Sequence, residues 1–360
     1  MQHGGNIYAF AAQVGCLPEQ VLDFSANINP QQAVDVRELL SVSLTPYSDP
    51  DYSNLKQAIT QRYPIPENAD IEVFNGASAA IFALLRYLQP KDVVLYAPLY
   101  GEYQRLAERL GCNIHIINRL DSFPRAAWEC SGGEPRRASK THCDNVSRQI
   151  PKGSTVIFVN PATPDGTLYN LPDLFAQWTA ADCHIIIDES FLDFCTAESA
   201  MASLAHYEKL TIIKSLSKFY GCAGIRVGFI AAHAAFIQQL KQLEPAWKLS
   251  SLDMAYTQRA LANTDFIAQT RQQTDHNRAL LQQVLHESGV FAEIYPSAAN
   301  FLLARVHDDN DGYQLQAQLA PARILIRVCE NFIGLDKRFV RFAVKEPAII
   351  EQLAQGVKQL

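Results

Sequence analysis

The chain has 360 residues, 48% of them apolar and 19% charged, an ordinary soluble composition with room for one large core and a smaller unit. Its net charge of −6 gives no basic footprint for nucleic acid or for an acidic membrane surface, and no apolar run nears the ~20 residues that span a bilayer. The eight cysteines stand singly with no Cys-x-x-Cys pair, which argues against a zinc site or a disulfide scaffold; with no leader-like N-terminus, the expected setting is the reducing cytoplasm.

His3, Gly4 and Gly5 precede a short helical pattern (Ile7, Phe10, Ala11, Val14). Taken alone, such a terminus reads as frayed. Residues 21–30 form an extended segment stopped by Pro30, with Asn27 and Asn29 where turn chemistry is common. A turn cluster around Tyr47 leads to a helix from about Ser53, with Leu55, Ala58 and Ile59 on one face. Residues 71–74 read as a strand that runs into Asn75-Gly76-Ala77-Ser78 and an apolar helix over 81–88. Strand, small-residue turn and helix N-terminus together make a ready anion site, because unpaired N–H groups point outward there. A tight helix entry is the plain alternative.

The next strand, 92–96, ends before Tyr100; a helix with Leu106 and Leu110 follows, then a strand over 112–117. Residues 121–150 break the rhythm with a polar, aperiodic stretch holding Arg136, Arg137 and Lys140, and read as a loop insertion. Residues 154–159 are a buried strand ending in the double-proline turn Asn160-Pro161-Ala162-Thr163-Pro164-Asp165-Gly166. A helix over 171–180 leads to a core strand, 184–191, with Asp188 near its C-terminal end. An aspartate there lies in the crevice where open α/β sheets bind ligands, or else caps the next element. The apolar run 210–213 leads to Ser215-Leu216-Ser217-Lys218, with Arg226 eight residues beyond the lysine. An amine flanked by hydroxyls and a guanidinium suits a lysine that must bond an aldehyde beside a phosphate; a surface lysine is the alternative.

Helical patterning fills 233–290. Short strands and helices then alternate to the end (strands 291–295, 300–305, 324–328 and 339–344). Arg327 and Arg341 stand in apolar strand-like runs, where a guanidinium must be paired or hold an anion. The whole pattern argues for an α/β fold: a mostly parallel central sheet sandwiched by helices, plus a smaller α+β domain. The large domain is expected over 44–250, the smaller over 1–43 and 251–360.

Singly these signals are weak; their order is specific. The Gly76–Ser78 turn, Tyr100, the Asn-Pro-x-x-Pro-x-Gly turn, Asp188, Ser-x-Ser-Lys with its arginine, and Arg341 resemble the fold-type I pyridoxal-phosphate enzymes of the aminotransferase class I/II group. The resemblance covers essentially the whole chain outside 121–150. Within the group, the His-Gly-Gly-Asn opening, residues 23–30 and the Arg327-x-Cys329-x-Asn331-Phe332 stretch are similar to the branch that decarboxylates phosphorylated amino acids, close to the histidinol-phosphate aminotransferases.

The resemblance implies pyridoxal 5′-phosphate joined to Lys218 as an imine, with Asp188 on the pyridine nitrogen. It implies Gly76, Ala77, Ser78, Ser215, Ser217 and Arg226 around the cofactor phosphate, Tyr100 stacked on the ring, and Thr163 beside the phenolic oxygen. Tyr47 would reach the phosphate from the neighbouring subunit of a homodimer with shared sites. Arg341 would take the substrate carboxylate, and Arg327, His3 and Asn27 would surround the substrate's own phosphate. The expected substrate is a small phosphorylated amino acid, with decarboxylation the expected reaction and transamination the alternative; no metal, nucleic acid or membrane enters. Two regions depart from the group: Ala162, Thr163 and Asp165 replace its usual residues, and Phe191 stands where many relatives carry tyrosine. Fewer donors to the phenolic oxygen should raise the pKa of the imine. A scaffold that had lost its chemistry and served only for binding would have no use for Lys218, Asp188 and Arg226 together.

Overall fold

The computed structural model describes residues 4–122 and 150–358. The segment read as a loop insertion, 121–150, therefore lies outside the described residues except at its ends. Helix α1 (Ile7–Val14) is capped by the Asn6 side chain, which accepts from the Ala9 N–H, and ends at Gly15 in the left-handed region. A two-residue strand, β1 (Leu22–Asp23), follows. It is all that forms of the extended segment expected over 21–30. Helix α2 (Ser53–Arg62) leads to the central sheet.

Seven strands make that sheet: β2 (Ala69–Asn75), β3 (Asp92–Ala97), β4 (Asn113–Asn118), β5 (Thr155–Val159), β6 (His184–Asp188), β7 (Leu210–Ser215) and β8 (Val227–His233), in the order β2-β8-β7-β6-β5-β3-β4. All neighbouring pairs are parallel except those of β8, which runs antiparallel to both β7 and β2. The sheet is thus mostly parallel, as its patterning implied. β8 itself is a correction, since the sequence suggested no strand before the helical stretch at 233.

Alternation along the strands decides what faces the site. Phe74, Leu95, Val159, Ile186 and Ile213 bury into one core, against helices α3 (Gly76–Leu88) and α4 (Glu102–Arg109). Val73, Tyr96, Phe158, Ile187 and Ile212 bury into the other. With a period of two, Asp188 and Ser215 continue the first face, while Glu189 and Lys214 continue the second. A lone buried charge costs several kcal/mol, so the second face has to pair its charges. Lys214 Nζ lies 3.5 Å from both Glu189 and Asp193, and Tyr63 donates to Asp193 at 2.9 Å.

The smaller α+β part holds four antiparallel strands, β9 (Phe291–Ile294), β10 (Phe301–Val306), β12 (Arg327–Val328) and β13 (Phe339–Ala343), in the order β12-β13-β10-β9. Between them in sequence, β11 (Ile324–Leu325) pairs in parallel with β1. The run 324–328, expected as one strand, is therefore split between two sheets. Thr264–Glu287 is a single helix that joins the two parts: Phe266 and Ile267 pack into the larger core, Leu281 and Leu285 into the smaller. Among the described residues no helix is long and apolar enough to cross a membrane, and no cluster of metal-ligating side chains occurs.

Candidate active site

The strands β2, β3, β5, β6 and β7 all finish at one edge of the sheet, and a cavity of about 330 Å³ opens there. Of the residues singled out in the sequence, Asn27, Ala77, Ser78, Tyr100, Thr163, Asp188, Ser215, Ser217, Lys218, Arg226, Arg327 and Arg341 all line it. They come from segments spread over more than 300 residues of chain. Such convergence is the strongest structural finding about the site.

One part of the wall is built for an anion. β2 passes into α3 through Gly76 at φ +77°, and the Asn75 side chain makes no capping hydrogen bond to the first N–H groups of the helix. The Arg226 guanidinium lies directly over Gly76: a Cβ there would stand 2.6 Å from Nη2. Glycine therefore lets a cation, open helix N–H groups and the hydroxyls of Ser78 and Ser215 meet in one place; Ser217 lines the same cavity, its hydroxyl donating to the Ile225 carbonyl at 3.0 Å. This donor set fits the phosphate of the expected cofactor. Gly76→Ala should cost the apoprotein about 1 kcal/mol through its positive φ and weaken cofactor binding at least about tenfold by displacing Arg226. Melting and a cofactor titration check this; unchanged affinity would put Arg226 outside the phosphate site.

Lys218 sits on a single helical turn, Leu216–Phe219, directly after β7. Asn29 fixes that turn from the other end of the chain: its N–H donates to the Lys218 carbonyl at 2.9 Å and its amide to the Phe219 carbonyl at 2.9 Å. The sequence suggested only turn chemistry for Asn29, and nothing local could have shown a partner 190 positions away. The Lys218 amine lies 4.9 Å from the centre of the Phe191 ring. Burial lowers its pKa, Asp188 opposes that, and Arg226 and Arg341 add to it. A lowered pKa raises the neutral, nucleophilic fraction near pH 7.

Asp188 ends β6 and is 5% exposed. One carboxylate oxygen accepts from the Ser190 N–H at 2.9 Å, the other from the Tyr103 hydroxyl at 2.9 Å. Tyr100, half-buried, forms part of the same wall, its hydroxyl 3.5 Å from that of Ser78. A carboxylate, an aromatic ring, a lysine and an anion cradle on one cavity suit a phosphorylated heteroaromatic aldehyde with a basic ring nitrogen.

The opposite wall carries two guanidiniums. Arg327 and Arg341 are directly opposed on the antiparallel strands β12 and β13, so both project from the same face. Arg341 donates to the Ser25 carbonyl at 3.0 Å and to the Thr163 hydroxyl at 3.3 Å. Its Nε has no partner, and no carboxylate pairs with it among the described residues. Burial pushes its pKa down to about 10. Arg327 donates to Asn331 and lies over the Phe332 ring. The buried Asn27 amide oxygen likewise has no partner among the described residues.

Two expected residues are not among those that line the cavity as described. His3 lies outside the described residues. Tyr47 is 80% exposed, away from this chain's own cavity, and stacks on Trp247 with ring centres 4.8 Å apart. The sequence reading missed Tyr103, and it missed Ser25. The Ser25 hydroxyl accepts from the Gly5 N–H at 2.7 Å while its carbonyl holds Arg341, so it ties the N-terminal segment to the arginine wall.

Known proteins agree with this architecture. The model of the family described as "Aminotransferase class I and II" matches residues 18–357. The threonine-phosphate decarboxylase of Salmonella typhimurium is 29% identical, over 99% of this chain and 96% of that protein. The adenosylcobalamin biosynthesis bifunctional protein CobDQ of Leptospira interrogans is 28% identical, over 96% of this chain and 39% of that longer protein. Among solved structures, the histidinol-phosphate aminotransferase from Clostridium acetobutylicum superposes with a TM-score of 0.80 at 24% identity, over 93% of this chain and 98% of that one.

Proposed function

This chain belongs to the aminotransferase class I and II family, and from that premise we propose that it decarboxylates L-threonine O-3-phosphate to (R)-1-amino-2-propanol phosphate in cobalamin biosynthesis. Pyridoxal 5′-phosphate is its cofactor. When bound, the cofactor supplies an electron sink conjugated to the substrate's α-carbon. Lys218 would hold it covalently, Asp188 would meet its ring nitrogen, and the Gly76–Ser78 turn with Ser215, Ser217 and Arg226 would hold its phosphate.

The observation that carries the substrate reading is the cross-strand pair Arg327 and Arg341 on a cavity shared with Lys218. A phosphorylated amino acid brings two anions, a carboxylate and a phosphate. Arg341, short of a counterion, suits the carboxylate; Arg327 with the Asn27 amide suits the phosphate. Holding both ends fixes rotation about the α-carbon. That rotation decides whether the bond to the carboxylate or the bond to hydrogen is aligned for cleavage. The carboxylate would leave as CO₂, and Lys218 or water would return a proton to the α-carbon.

The test is to incubate the protein with L-threonine O-3-phosphate, with and without 2-oxoglutarate, and to measure CO₂ and aminopropanol phosphate. Both products, independent of 2-oxoglutarate, are expected. Glutamate formed from histidinol phosphate and 2-oxoglutarate, with no CO₂ from the phosphothreonine, would overturn the proposal in favour of transamination.

The working form is proposed to be a cytoplasmic homodimer. Leu40, Leu44, Tyr47, Leu243 and Trp247 are all at least half exposed, and the Ser48 hydroxyl ties the Tyr47 segment to the Leu249 carbonyl at 2.8 Å. Exposed apolar side chains, with Tyr47 stacked on Trp247, suit an isologous interface, from which Tyr47 would reach the partner's cofactor phosphate. The six cysteines among the described residues are all free, in keeping with a reducing compartment. Trp247→Glu should shift the protein to monomer in analytical ultracentrifugation and weaken cofactor retention in parallel; a dimer of unchanged stability would contradict this interface.

A further inference from the structure

Tyr100 lies two residues before α4 and Tyr103 is the second residue of that helix; the Tyr103 N–H donates to the Tyr100 carbonyl at 3.2 Å, and the two rings stand edge to face at 6.3 Å. Tyr100 forms part of the cavity wall; Tyr103 sits behind it, fully buried in the apolar core between α4 and the sheet. A phenylalanine would fill that core as well. The hydroxyl of Tyr103 has one hydrogen-bond partner among the described residues, the Asp188 carboxylate.

We propose that Tyr103 is a positioning residue for the reaction: it fixes the plane of the Asp188 carboxylate and shares its charge. The inference rests on the reading of Asp188 as partner of the cofactor's ring nitrogen. Two donors act on Asp188, Ser190 N–H on one oxygen and Tyr103 O–H on the other, each at 2.9 Å. Donors on both oxygens stop rotation about the last side-chain torsion and leave the remaining lone pairs for the cavity. A carboxylate held in one plane by both donors would meet the ring nitrogen at a fixed angle. Burial, with the charge of Asp188, raises the Tyr103 pKa well above that of a free phenol. Its hydroxyl therefore remains a donor across the working pH range and takes no part in proton transfer.

The test is a double-mutant cycle read as cofactor affinity, by titrating each apoprotein with pyridoxal 5′-phosphate. Tyr103→Phe should weaken binding about tenfold, the size expected for a lost bond to a charged group, and move the pH midpoint of the cofactor's visible band. In an Asp188→Ala background the same change should alter affinity less than twofold. Asp188→Asn serves as the background if the alanine variant does not fold. Equal losses in both backgrounds would mean that Tyr103 only supports the core, and no loss in the parent would mean that its hydroxyl is idle; either overturns the proposal while leaving the role of Asp188 intact. Unchanged affinity on replacing Asp188 itself would overturn both.

Discussion

Lys218→Ala is expected to abolish turnover, lowering kcat by about 10⁴-fold or more, and to end covalent retention of the cofactor. No other amine lines the cavity among the described residues, so nothing substitutes for it. Its environment is arranged for reactivity rather than for structure. Burial and two neighbouring arginines lower its pKa, and Asp188 alone among the named influences raises it. The segment that carries it is fixed by Asn29 at two carbonyls, so the alanine variant should keep its fold. Single-turnover CO₂ release with the melting curve of the same sample separates the two effects. A variant that still turns over within tenfold of the parent would remove Lys218 from the chemistry.

Arg341→Leu is the second large effect, expected to cut kcat/KM for the phosphorylated amino acid by about 10²–10³-fold. Its effect on stability should go the other way from that of a structural arginine. Arg341 is 8% exposed with an unpartnered Nε and no acidic neighbour in bonding distance among the described residues. Such a cation is held out of water without full compensation, and a leucine in its place should leave the melting temperature unchanged or raise it. The sign of the pH dependence follows from the same burial. With the guanidinium pKa lowered to about 10, anion affinity should hold through neutral pH and fall as pH rises past that value. Steady-state kinetics and a calorimetric melt check both halves. A large drop in melting temperature with little change in kcat/KM would make Arg341 a structural residue.

Most of the candidate site was legible because the residues that line its cavity follow strand ends, where local pattern is strongest. The turn at Gly76 follows an apolar strand into a helix, Asp188 closes a run of isoleucines, and Lys218 follows a buried strand by three residues. What was illegible depends on pairing across distance. β8 is an edge-to-edge partner of β2, more than 150 residues upstream, and neither segment announces the other. The run 324–328 looks continuous but serves two sheets, because β1 takes its first half and β13 its second. Tyr103 carried no signal of its own: its ring is buried in the core, while its hydroxyl donates to Asp188, 85 positions away. A second tyrosine three residues after Tyr100 was the one local hint.

The most direct test of the whole account is chemical trapping. The loaded protein is reduced with borohydride, digested, and searched for the peptide that carries the cofactor. The account predicts a single modified peptide containing Lys218, and none from Lys218→Ala. A label on any other lysine, or a protein that takes up no pyridoxal phosphate, would contradict it.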